Sequence, residues 1–131
     1  MTTKAPAKPT KKPGAQGSAD VVFILDITKS LTSDQFKTAT QLVVKIMNMF
    51  NVDTTKNHLG FVTASDKSAK VVVNLKNKYK QQQIVNKVIA TKQSGNGDAK
   101  ISGAFNTVIK NVFRGRKSTV KVMYPVQYVQ F

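Results

Sequence analysis

Five consecutive apolar residues, Val21-Val22-Phe23-Ile24-Leu25, run without a polar break into Asp26 and a polar loop ending at Ser30. A strand apolar on both pleats has no face to give to water. It needs a layer of structure on each side, which is the situation of a parallel strand inside an α/β sheet. The segments that follow supply those layers. Thr32 and Gln35 have the spacing of a capping box. Phe36, Ala39, Leu42, Val43, Ile46, Met47 and Phe50 then recur at three- and four-residue steps, one apolar stripe of a helix ended by Asn51 and Asp53. His58 to Thr63 and Lys70 to Leu75 read as two short strands joined by the turn Ser65-Asp66-Lys67-Ser68. Ile84, Val85, Val88 and Ile89 mark a shorter helix, and Ser94-Gly95-Asn96-Gly97-Asp98 a loop. Ile101, Ala104, Phe105, Val108, Ile109, Val112 and Phe113 predict a third helix, closed by Arg114-Gly115-Arg116-Lys117. Thr119 to Tyr124 is a last strand before Pro125. The order predicts a three-layer α/β sandwich with a mostly parallel sheet. In such folds ligands sit beyond the carboxyl ends of the strands, where the Asp26 to Ser30 loop and the Gly95 to Asp98 loop both fall.

Residues 1–18 are of a different kind. They carry four Lys, three of the four Pro, two Gly and no large apolar side chain after Met1, so they read as a disordered tail or linker before a domain at 19–131. The chain has 21 Lys plus Arg against 6 acids and a net charge of +15. Without the four tail lysines, 17 cations face 6 carboxylates, and the domain still carries +11. This balance favours anionic partners without naming one. All six acids are Asp, and there is no Cys or Glu and one His, so thiol chemistry, disulfides, cysteine metal sites and Glu-based acid catalysis are excluded. His58 has no Ser or Asp at motif spacing, which reads as a strand-cap residue and argues against an enzyme. No apolar run approaches the length of a membrane span. The amino terminus also lacks the apolar core of a secretory signal, which leaves a cytoplasmic location open.

The series Ala19 to Ser30, His58 to Ser65, Lys70 to Leu75, Tyr79-Lys80, Gly95 to Phe105 and Lys121-Val122-Met123 resembles the von Willebrand factor A domain, in order and at family spacing from 19 to about 124. The resemblance implies a non-enzymatic adhesion or binding module, extracellular, contacting a protein or an anionic polysaccharide of a matrix. It also implies a metal-ion-dependent adhesion site for Mg²⁺ or another divalent cation, held by Asp26, Thr28 and Ser30 in the Asp-x-Ser-x-Ser loop. The family's coordinating Thr falls on Ala99, with Asp98 and Ser102 as substitute ligands one slip away. Its second Asp falls in Gln127-Tyr128-Val129, where no acid stands. The implied metal site is therefore degenerate. Relative to the family, the chain would stop after the fourth strand, leaving Thr119 to Phe131 as a sheet edge available for self-association.

Two further features bear on partners. Arg114, Arg116 and Lys117 form the densest cation cluster of the domain and are the candidate anion-binding residues. Tyr124, Tyr128 and Phe131 near Lys121 read as packing aromatics, with base stacking as the alternative. The competing function is a nucleic-acid or polyanion binder using the Lys-Pro tail and the basic surface.

Overall fold

The computed structural model describes residues 19–53, 57–117 and 120–126. Residues 1–18, Thr119, Tyr128, Phe131 and the Gln127-Tyr128-Val129 position, on which parts of the sequence reading rest, lie outside them. The elements run β1 (Ala19–Asp26), α1 (Ser33–Met47), β2 (His58–Ala64), β3 (Ala69–Val73), α2 (Gln81–Ile89), α3 (Ile101–Thr107), a π-helical turn (Val108–Val112) and β4 (Val120–Val126).

The sheet order is β3-β2-β1-β4. β1 pairs in parallel with β2 on one side and β4 on the other, in register Phe23 with Phe61 and Phe23 with Tyr124. β3 returns antiparallel to β2, so the sheet is mixed. All eight residues of β1 are buried. Its odd-numbered side chains, Val21, Phe23 and Leu25, join Leu59 and Phe61 beneath α1 and α2, with Ala39, Val43, Met47, Ile84 and Val88 from those helices. Its even-numbered side chains, Val22 and Ile24, join Val62, Ala64 and Leu75 beneath α3 and the π turn. The unbroken apolar run thus feeds two cores at once. At about 1.5–3 kcal/mol for each fully buried aliphatic or aromatic side chain, residues 21–25 stabilise the fold by on the order of 10 kcal/mol, comparable with the whole net stability of a typical domain.

The helix ends follow local chemistry. The Thr32 side chain accepts the Gln35 N–H at 3.1 Å, and the Gln35 side chain accepts the Thr32 N–H at 2.9 Å. This is the capping box the sequence announces. The third helix differs from the expected single span to Phe113. After Thr107 the chain widens into the π turn, with the Phe113 N–H donating to the Val108 carbonyl at 2.8 Å. Ala104, Val108 and Val112 are all buried, at four-residue steps. An α-turn overshoots a four-residue step by about 40°. The wider π turn undershoots it and brings Val112 back onto the sheet. Gly115, at φ 77, then ends the segment in the left-handed region that favours glycine.

β4 runs two residues past Tyr124, through Pro125 to Val126, and forms one edge of the sheet among the described residues. Proline is tolerated there because an edge strand leaves backbone donors unused. Tyr124 stacks on Phe23 with ring centroids 5.3 Å apart.

Candidate binding site at the carboxyl ends of the strands

Asp26 is the last residue of β1, and the chain turns sharply after it. Its Oδ1 accepts the backbone N–H of Thr28 at 2.8 Å and the Thr28 hydroxyl at 2.8 Å. Thr28 Oγ1 also lies 2.6 Å from Ser30 Oγ. The Thr28 proton is given to Asp26, so Ser30 is the donor in that second contact. Asp26 and Thr28 are buried and Ser30 is exposed, so the three oxygens form a line from the interior to the surface. The turn is the one an Asp followed two residues later by its own backbone donor tends to make.

A second loop braces it. The Lys29 N–H donates to the Gly95 carbonyl at 2.8 Å and the Ser94 N–H to the Ile27 carbonyl at 2.7 Å. The Gln93 side-chain amide donates to the carbonyls of Thr28 and Leu31. Both loops expected beyond the strand ends are therefore joined, by two backbone hydrogen bonds and by the Gln93 side chain. Gly95 has φ +96 and lies against the Asp66 carboxylate, and a Cβ there would collide with Asp66 Oδ1. The Gly97 N–H donates to Asp66 Oδ2 at 3.2 Å and the Lys100 N–H to the Ser65 carbonyl at 3.0 Å. Asp66 thus acts as the anchor of the glycine loop. The sequence showed it only as part of a hairpin turn.

The remaining expected site residues are dispersed. Asp98 is exposed in the glycine loop and Ser102 is exposed on the first turn of α3. Ala99 is partly buried and packs against the core under α3, a position suited to a methyl group. Of the cation cluster, Arg114 and Lys117 are exposed, whereas Arg116 turns inward. Its Nε and Nη2 both donate to the carboxylate of Asp20 at 2.9 Å, a bidentate fork. Asp20 is fully buried near the amino end of β1, away from the Asp26 loop, and His58 Nδ1 is 3.4 Å from its Oδ1. The hydrogen bond to Asp20 raises the Arg116 pKa, with burial opposing and the charge attraction adding to it. Arg116 is therefore committed to an internal partner, and the three cations do not form one patch.

Against known protein families, residues 20–125 match the model of the von Willebrand factor type A domain. The chain belongs to the von Willebrand factor type A (VWA) family. Its fold is similar to that of proximal thread matrix protein 1 from the mussel byssus. One structure of that protein, with a zinc-occupied metal-ion-dependent adhesion site, superposes with a TM-score of 0.69 at 18% identity over 83% of this chain. A second crystal form gives 0.70 at 20% identity over 82%. The chain spans 28% of the length of that protein in each case. A search of curated protein sequences gives no match.

The Asp26 loop is the stretch that the sequence resemblance marks for a metal-ion-dependent adhesion site. Asp26, Thr28 and Ser30 offer three oxygens and one formal charge, and Asp26 Oδ1 and the Thr28 hydroxyl are already bonded to each other. A hard cation such as Mg²⁺ takes near-octahedral oxygen coordination, with several of the six positions usually filled by water. No group of three or more His, Cys, Asp or Glu side chains able to hold a metal occurs among the described residues. Among the described residues, no helix of the VWA domain is long and apolar enough to cross a membrane.

Proposed function

We propose that this VWA domain is a non-enzymatic binding module for a protein or an anionic matrix polymer, and that its metal loop serves as a structural turn. The observation that carries the reading is the closed hydrogen-bond line Asp26, Thr28, Ser30. Asp26 Oδ1 takes both the backbone N–H and the hydroxyl of Thr28, and both residues are buried, so the line ties the turn to itself. The domain charge of +11 supports an anionic partner and disfavours a cation at the same loop. The non-enzymatic reading rests on the inventory. The one His faces the buried Asp20, with no nucleophile in the pair. A matrix setting outside the cell is supported by the likeness in fold to a byssus matrix protein.

The test is surface binding of the full chain to immobilised fibrous matrix protein, sulfated polysaccharide and duplex DNA, each with and without EDTA. The reading expects binding to protein or polysaccharide that survives EDTA and is unchanged by Asp26→Asn. Loss of that binding in EDTA would contradict it. Tightest binding on DNA, falling steeply with salt, would favour the nucleic-acid alternative instead.

A further inference from the structure

Beside the Asp26 loop, on the face of the sheet covered by α1 and α2, a cavity of about 530 Å³ opens between the β2–β3 hairpin and the end of α2. Its lining holds three lysines and no carboxylate. Thr63 and Lys70 are directly paired across β2 and β3, so their side chains share a face. Lys92 and Ser94 approach from the segment after α2, and Ile27 and Val72 give an apolar wall. Lys87 contributes its stem, while its ammonium lies 4.8 Å over the ring of Tyr79. The free cations of the cavity are therefore Lys70 and Lys92.

Thr63 is the most informative member. It is 5% exposed and lines the cavity, which sets its hydroxyl at the cavity wall. A ligand oxygen entering between Lys70 and Lys92 would accept from it. Two ammonium groups and hydroxyl donors select an anion. The apolar wall and a volume several times that of a lone tetrahedral ion select an anion carried on a larger body with a C–H face.

We propose that this cavity holds one sulfate-bearing sugar unit of an anionic polysaccharide. Lys70 and Lys92 pair with the ester oxygens, Thr63 donates to one of them, and the sugar ring lies on Ile27 and Val72. The proposal rests on the preceding reading of an anionic matrix ligand and says where that ligand is gripped. The Ser94 N–H bond to Ile27 makes the cavity continuous with the brace of the Asp26 loop.

The test is amide correlation NMR of the full chain. It is titrated with a sulfated heparin-derived disaccharide, its unsulfated counterpart, inorganic sulfate and inorganic phosphate. Saturable shifts confined to residues around Thr63, Lys70, Lys92 and Ser94 are expected for the sulfated disaccharide. Its affinity should drop about tenfold in the Lys70→Ala/Lys92→Ala variant, as loss of charge-assisted hydrogen bonds predicts. Thr63→Val should weaken it severalfold with the rest of the spectrum unchanged. Lys110→Ala, exposed in the π turn on the other face, should leave it unaltered.

Non-saturating shifts spread over every lysine face, or an equal loss in Lys110→Ala, would overturn the site. Inorganic ions binding as tightly as the disaccharide would overturn the sugar. Matrix binding that persists at full strength in the Lys70→Ala/Lys92→Ala variant would sink this cavity and leave the broader reading standing. Absence of any matrix binding by the unaltered chain would sink that reading first.

Discussion

Replacing Arg116 by Met removes one half of a fork that joins the end of the π turn to the start of β1, 96 residues away in sequence. Two hydrogen bonds of 2.9 Å disappear, and Asp20, at 0% exposure, keeps its charge without the guanidinium. Removing one partner of a buried ion pair costs about 3–5 kcal/mol, because the other charge remains desolvated. His58 at 3.4 Å and the neighbouring strand position of Lys121 soften the loss, so the lower figure applies. A loss of about 3 kcal/mol would lower Tm by roughly 10–15 °C for a domain of this size. The assay is urea unfolding followed by circular dichroism, read as a shift of midpoint at constant slope. The double variant Asp20→Asn/Arg116→Met should recover most of the loss, since no buried charge is then stranded. The sign for pH is fixed by the raised pKa of Arg116. A group whose folded pKa is raised stabilises below its unfolded pKa and loses that contribution only as pH climbs through the folded value. The arginine's own titration therefore leaves the wild-type pair intact across the neutral range and weakens it only in strong alkali. A single-variant cost below about 0.5 kcal/mol, the range of an exposed pair, would refute the argument.

Gly95→Ala puts a methyl group into the Asp66 carboxylate at a left-handed φ, and should cost about 2 kcal/mol by the same urea assay. Gly103→Ala, at a site with open space around it, should cost nothing or stabilise α3 slightly. Thr32→Ala opens the capping box of α1 and should cost about 1 kcal/mol. Thr32→Ser should restore most of it. Phe23→Ala empties the centre of the core under α1 and removes the stack on Tyr124, a loss of about 3–5 kcal/mol. A soluble, folded Phe23→Ala chain with unaltered midpoint would contradict the packing described.

What could be read from the sequence was what local pattern controls. Residues 21–25 required two covering layers, and both are there, because burial of consecutive side chains on opposite pleats leaves no alternative. The Thr32 and Gln35 box formed because its partners lie one helical turn apart. The Asp26 loop was legible because its donors and acceptor lie within three residues. What the sequence hid was decided across distance. Arg116 read as one of three anion-binding cations at a helix end, and only the return of β4 alongside β1 sets its segment beside Asp20. Asp66 looked like any turn residue until the glycine loop folded onto it. The π turn kept the apolar spacing of an α-helix, so periodicity alone gave no sign of it. The Lys70, Lys92 and Thr63 cavity draws on three separate segments, and no single stretch carries its signal.

The central proposal is that the Asp26 loop, tied by the hydrogen bonds of Asp26, Thr28 and Ser30, is a structural turn that holds no resident cation. It is tested most directly by titrating the full, folded chain with Mg²⁺ and Mn²⁺ in a calorimeter. The account predicts no saturable heat, and the same trace for Asp26→Asn. Stoichiometric binding of either ion that vanishes in Asp26→Asn, with the circular dichroism of that variant unchanged, would contradict it.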